Sequence, residues 1–289
     1  MNVDDDPVRR YWTRMDERFR GLREETEPWE ALTAEPAGVT HREVSVAGAA
    51  ALWVEPATSD AVMLYIHGGG FISGSVWTHR KLAGHLAAAS GTKALLVSYP
   101  YAPGQVHPAQ LDQVTGAYTW LLDQGSGPLV LAGDSCGGWL ALSLAVRARD
   151  RGLPLPAAML LISPWVDLAQ RGASYRSNAD PFFHKDLVDG LAAGFLGPAS
   201  ATDPGIDLLQ ADLTGLPPML IQAGGDEALV DDSRALHARA GAASDLEVFP
   251  GQQHTFQMAA GTTGVADQAV QNFAGWVRPH LASRSFSSA

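Results

Sequence analysis

Five short, unbroken apolar runs separated by helix-length stretches constrain this chain more than any other feature. They are Val62 to Ile66, Ala94 to Val97, Leu129 to Ala132, Met159 to Ile162 and Met219 to Ala223. Helical patterning lies between and after them, at about 79–90, 109–123, 136–150 and 231–242, with a last stretch at 265–282. A run with no polar alternation belongs to a strand covered on both faces, and strands alternating with helices build a parallel sheet flanked on both sides. The expected class is α/β. Two short strands, Glu43 to Val46 and Ala51 to Val54, precede this rhythm around the turn-like Ala47-Gly48-Ala49, and Leu246 to Phe249 forms a last strand. At 289 residues, 46% of them hydrophobic, the chain suffices for one large domain with a modest cap.

Two segments fall outside the rhythm. Residues 1–40 carry six arginines among acids, with Tyr11, Trp12, Met15, Phe19 and Leu22 spaced by three and four. That is one apolar stripe on a charged helix, with the arginines as its solvated face and the stripe packed elsewhere on the protein. The second segment, Pro164 to Pro204, is too long for a plain connection and holds its own helical piece near His184 to Leu196. An insertion of that size usually forms a lid or a binding wall.

Composition removes several functions. The 31 acidic residues outnumber 20 basic ones, of which only Lys81, Lys93 and Lys185 are lysine, so no positive surface is available for nucleic acid. No apolar run approaches the ~18 residues of a membrane span, and the acidic start Met1-Asn2-Val3-Asp4-Asp5-Asp6 is unlike a secretory signal, which makes the cytoplasm the expected location. A single cysteine, Cys136, can neither close an internal disulfide nor build a cysteine-rich metal cluster.

The strongest chemical signal is Gly133-Asp134-Ser135-Cys136-Gly137-Gly138, placed between an apolar strand and a helix. A serine on such a tight turn has a strained backbone, and the glycines around it let strand and helix approach closely. Its hydroxyl then stands at the head of a helix, where backbone N–H groups favour negative charge. The second signal, His67-Gly68-Gly69-Gly70, directly follows the strand Val62 to Ile66. Glycines offer only backbone N–H, which is what a developing oxyanion needs. A serine also needs a base. Of nine histidines, His254 alone lies in a loop between the last strand and the final helix, at the carboxyl edge of the sheet where ligands gather. An orienting acid is expected after Met219 to Ala223, where Asp226 and Glu227 stand side by side and spacing does not choose between them. Asp231 and Asp232 read as N-terminal caps of the next helix.

These three separated motifs, in this order, resemble the hormone-sensitive-lipase family of α/β-hydrolases, in particular its bacterial carboxylesterases, from about residue 43 to the end. The resemblance implies an α/β-hydrolase domain over 41–289, capped by residues 1–40 and an insertion at about 165–205, with Trp165, Phe182 and Phe183 as candidate walls. It implies Ser135 as nucleophile, His254 as base, and an oxyanion hole from Gly69, Gly70 and the residue after the nucleophile, Cys136. The family's acid motif, Asp/Glu-Pro-Leu-x-Asp, matches Glu227-Ala228-Leu229-Val230-Asp231 and so selects Glu227, with Asp226 as runner-up. The chain departs from the family pattern at Cys136, where alanine is usual, at Gly104 of Tyr101-Ala102-Pro103-Gly104, where a glutamate is usual, and in lacking the proline of the acid motif.

The implied activity is hydrolysis of small or short-acyl carboxylic esters through an acyl-enzyme, with no cofactor and no metal. A lactone hydrolase or an acetyl-ester deacetylase would use the same residues, and the fold also serves receptors that bind without turnover. An edge strand near Leu246 is placed to pair across a two-fold axis, so a homodimer is a family expectation. Standing at a helix start, Cys136 is expected to have a lowered pKa and to react with thiol reagents small enough to reach it.

Overall fold

The computed structural model describes residues 6–59, 61–177 and 179–282. Eight strands form one sheet: β1 (Val39–Val46), β2 (Ala49–Pro56), β3 (Ala61–Ile66), β4 (Thr92–Val97), β5 (Leu129–Asp134), β6 (Ala158–Ile162), β7 (Met219–Gly224) and β8 (Ser244–Phe249). Their order is β1-β2-β4-β3-β5-β6-β7-β8. β2 runs antiparallel to β1 and β4, and every other pair is parallel. This is the largely parallel sheet expected from the alternation of runs and helices, in the α/β-hydrolase arrangement that the resemblance implied. β1 starts at Val39, four residues before the expected Glu43, because its pairing with β2 extends to Val39↔Pro56. That pairing is long-range and leaves no mark in local patterning.

Among the described residues, seven α-helices accompany the sheet: α1 (Pro7–Phe19), α2 (Val76–Ser90), α3 (Ala109–Asp123), α4 (Cys136–Asp150), α5 (Lys185–Leu196), α6 (Val230–Ala240) and α7 (Gly264–Ala282). α2 begins three residues earlier than its apolar pattern indicates, because Ser75 and Thr78 form a reciprocal capping box there, and it ends on Gly91 in the left-handed region at φ 73°. Alternate residues of each strand feed opposite faces, as the two-residue period requires. Leu64, Leu131, Leu161 and Ile221 pack with α3 and α4, whereas Met63, Tyr65, Val130 and Leu160 pack with α2 and α7. No helix among the described residues is long and apolar enough to cross a membrane.

The sheet reverses direction at β3, which has β4 on one side and β5 on the other. In open α/β sheets, ligands collect beyond the carboxyl ends of the strands at such a switch point. The His67 loop leaves β3 and Ser135 leaves β5, with Ile66 paired to Gly133. The two strongest sequence motifs therefore emerge side by side.

Candidate active site

Ser135 occupies the turn from β5 into α4 with φ 54° and ψ −123°. A serine here sits in a conformation that costs about 1–3 kcal/mol and persists only where surroundings fix it. The surroundings do so: Ser135 N–H donates to the Ile162 carbonyl at 2.9 Å, and its own carbonyl accepts from Gly138 at 3.0 Å and Trp165 at 3.0 Å. The glycines are required by close approach. A Cβ on Gly133 would collide with the Gly137 carbonyl, one on Gly137 with the Ile66 carbonyl, and one on Gly138 with Pro164.

Beside Ser135, Gly69 and Gly70 adopt φ 119° and 62°, where a side chain is strained. A Cβ on Gly69 would strike the Ser73 carbonyl. The N–H groups of Gly69, Gly70 and Cys136 donate to no backbone carbonyl among the described residues, that of Cys136 because it opens a helix. The loop behind them is tightly anchored. Asp134, fully buried, accepts from Gly68 N–H at 3.0 Å and from the Tyr65 hydroxyl at 2.9 Å, and its second oxygen lies 3.4 Å from His79 Nε2. Burial alone would raise this carboxyl, but His79 and the bonds from Tyr65 and Gly68 outweigh it and hold it below the usual range. His67 stacks on Tyr99 with ring centres 4.4 Å apart, and burial, with His79 nearby, depresses it to about 3. Its ring is therefore neutral, and Nδ1–H donates to the Gly68 carbonyl at 2.8 Å. Asp134 and His67 thus grip the N–H and the carbonyl of Gly68, immediately before the two candidate donors.

The loop after β8 carries His254, and the turn after β7 carries Glu227. Both side chains are fully buried, with His254 Nδ1 3.8 Å from Glu227 Oε1. Glu227 Oε2 accepts from the Ser163 hydroxyl at 2.7 Å and from Gly224 N–H at 2.9 Å, so one carboxylate oxygen is fixed and the other faces the imidazole. Asp226, half-buried, makes no hydrogen bond or ion pair with His254 among the described residues. Of the two candidate acids, it is Glu227 whose carboxylate stands beside His254. Ser163 had no signature of its own beyond being a polar residue at the carboxyl end of a buried strand. It also accepts from Thr255 N–H at 3.1 Å, and so ties the acid to the loop that bears the histidine.

Residues before β1 and the insertion cover this cleft. A cavity of about 640 Å³ opens onto Ser135, Gly69 and Gly70, walled by Tyr11, Trp12 and Met15 of α1 and by Phe182, Phe183 and Leu191 of the insertion. Most of the apolar stripe on α1 therefore lines the cavity, whereas Leu22, beyond the helix end, is exposed. Phe182 and Phe183 are walls, as the resemblance implied. Trp165 is not: it packs against Phe71 at 5.7 Å within the core. Asp231 and Asp232 are not caps either, since α6 starts from Leu229 with no side-chain cap. Asp232 is buried and instead accepts from the N–H groups of Val166 and Asp167 and from the Tyr175 hydroxyl, which fastens the start of the insertion to α6. Burial, with Asp167 close by, holds its carboxyl well above the usual range despite those bonds.

The expected reactivity of Cys136 is overturned. Its side chain is fully buried beneath the oxyanion loop, where Sγ accepts the Phe71 N–H at 3.2 Å. Burial pushes the thiol up to about 12, and this outweighs the helix-terminus effect that motivated the expectation. Iodoacetamide should leave the native protein unlabelled at neutral pH and modify one thiol only after denaturation, which mass spectrometry reads directly. Stoichiometric labelling of the folded enzyme would contradict the burial.

Among the described residues no group of His, Cys, Asp and Glu side chains is placed to hold a metal ion. A sequence model of a family described as alpha/beta hydrolase fold matches residues 63–258. An acetyl-hydrolase of Streptomyces hygroscopicus is 39% identical over 221 residues, 74% of this chain and 74% of its own length. An esterase of Acinetobacter venetianus is 34% identical over 229 residues, 75% of each chain. Among solved structures, an esterase from the bacterial hormone-sensitive lipase family superimposes with a TM-score of 0.86 at 36% identity, covering 95% of this chain and 98% of that one.

Proposed function

Because the chain belongs to the hormone-sensitive-lipase family of α/β-hydrolases, we propose that it is a serine carboxylesterase acting on small, largely apolar esters. The observation that carries this reading is an apolar cavity that opens onto Ser135, Gly69 and Gly70, one of whose walls, Phe183, packs on a buried histidine that faces a buried carboxylate.

In the first half-reaction His254 takes the proton of Ser135 as Oγ attacks the ester carbonyl. The carbonyl oxygen gains the negative charge and is held by the N–H groups of Gly69, Gly70 and Cys136, each worth ~3–4 kcal/mol in sites of this kind. The C–O bond to the alcohol then breaks, with the proton passing from His254 to the departing oxygen. In the second half-reaction water gives its proton to His254 and attacks the acyl carbon, the same donors hold the second oxyanion, and Ser135 leaves with the proton returned. Glu227 keeps the imidazole oriented and stabilises it while it is charged. Asp134, His67 and Ser163 act at one remove, by fixing the donors and the acid.

A cavity of about 640 Å³ lies within the ~300–1,000 Å³ range of small-molecule sites and has room for an ester of modest size. The test is kcat/KM on p-nitrophenyl esters from acetate to palmitate. The optimum is expected among the shorter chains, with a steep fall toward palmitate, and an optimum at palmitate would sink the small-ester reading. The acetyl-hydrolase name of the Streptomyces relative favours a second reading, deacetylation of an acetylated alcohol. Acetylated alcohols and simple lactones belong in the same panel.

A further inference from the structure

The cap does more than wall the cavity, because one of its side chains reaches the backbone of the base. Trp12 of α1, almost fully buried, donates its indole N–H to the His254 carbonyl at 2.9 Å. The turn it grips is strained. Thr255, β-branched, sits at φ 52° and ψ 39°, a left-handed conformation that costs such a residue about 1–3 kcal/mol unless several bonds impose it. Among those bonds are Thr255 N–H to Ser163 Oγ at 3.1 Å, Met258 N–H to the Thr255 carbonyl at 2.9 Å, Thr255 Oγ1 to the His254 carbonyl at 2.8 Å, and the Trp12 indole to that same His254 carbonyl. The last of these comes from the cap.

The imidazole itself is held by packing, not by hydrogen bonds. Neither ring nitrogen of His254 has a hydrogen-bond partner among the described residues, and Nδ1 stands 3.8 Å from Glu227 Oε1, beyond hydrogen-bond range by less than 1 Å. Aromatic rings of the cap bear on the imidazole. Phe183 of the insertion packs edge-to-face at 4.4 Å, and Trp12 lies at 6.0 Å, itself packed on Phe182 at 5.4 Å and Phe183 at 4.8 Å. A shift of a few tenths of an ångström in this aromatic group changes whether the base and its acid are bonded.

We propose that Trp12 and Phe183 are positioning residues for His254, so that docking of the cap sets the alignment of the base as well as the shape of the cavity. The proposal rests on the reading of His254 as the general base. Both residues also line the cavity, so a ligand that orders the cap orders the base with it.

The decisive variant is Trp12→Phe, which keeps an aromatic ring and removes the N–H. On p-nitrophenyl acetate, an ester small enough to leave most of the cavity empty, kcat is expected to fall about tenfold while KM stays within about twofold. Phe183→Leu removes the ring against His254 without touching the carbonyl bond, is expected to give the same pattern, and serves should Trp12→Phe fail to fold. Unchanged kcat in the folded variants would overturn the proposal, as would losses confined to KM and growing with ester size, which would make these residues walls alone. His254→Gln is the control for the underlying reading. An active His254→Gln enzyme would refute the base, whereas an inactive one beside unaffected Trp12→Phe and Phe183→Leu would refute only the role of the cap.

Discussion

Ser135→Ala is expected to lower kcat by on the order of 10⁴-fold or more and to leave the fold intact. Removing the nucleophile of a triad costs about as much as removing the whole triad, because the base and acid do nothing without it. What survives is the background that oxyanion donors and binding supply. Stability should hardly change, since the Ser135 hydroxyl makes no hydrogen bond among the described residues and alanine bears the same backbone strain as serine at φ 54°. Ser135→Gly sharpens the test. Glycine accepts a positive φ freely, so relief of about 1–3 kcal/mol of strain, less about 0.5–1 for the extra freedom of the unfolded chain, should leave this inactive variant more stable than wild type by about 1 kcal/mol. Kinetics on p-nitrophenyl acetate and thermal melts of both variants decide it. An active Ser135→Ala enzyme ends the serine-esterase reading, and a Ser135→Gly protein that melts below Ser135→Ala shows that the turn is not strained as its backbone angles imply.

What could be read in the sequence and what could not divides along the range of the interactions involved. The strands β3 to β7 were legible because burial on both faces erases polar alternation within five or six consecutive residues. Ser135, Gly69 and Gly70 were legible because their backbone angles demand particular residues locally, and His254 because the order of the strands puts its loop at the carboxyl edge of the sheet. The partners that hold these groups were not legible. His79 lies on a helix 55 positions before Asp134 and reads as any helical histidine until the two are 3.4 Å apart. Ser163 meets Glu227 across 64 positions, and Trp12 meets His254 across 242. Cys136 shows the converse error: a local rule about helix starts predicted a reactive thiol, and the packing of the Phe71 loop over it reversed the sign.

Glu227→Gln is expected to lower kcat by about 10³- to 10⁴-fold with KM within a few-fold of wild type, whereas Asp226→Asn stays within about threefold. The asymmetry follows from how the two oxygens of Glu227 are used. Oε2 accepts two hydrogen bonds, from Ser163 and from Gly224 N–H, so an amide nitrogen cannot sit there facing the Gly224 donor. A glutamine must keep its oxygen at that position and turn its NH₂ toward His254 Nδ1, where Glu227 Oε1 now stands 3.8 Å away. An NH₂ group donates, so it favours the imidazole tautomer whose lone pair lies at Nδ1 and whose proton lies at Nε2. That tautomer cannot accept the proton of Ser135, and it loses the negative charge that stabilises the imidazolium, the combination that makes such a change costly in other triads. The anchoring bonds to Oε2 survive, so the melting temperature should stay within a few degrees. Asp226 offers a contrast of equal chemistry one residue away: half-buried, with no bond from its carboxylate to the histidine, it has nothing to lose. Steady-state kinetics of the two variants on one ester settle which carboxylate is the acid, and an Asp226→Asn enzyme crippled beside a working Glu227→Gln would transfer the role to Asp226.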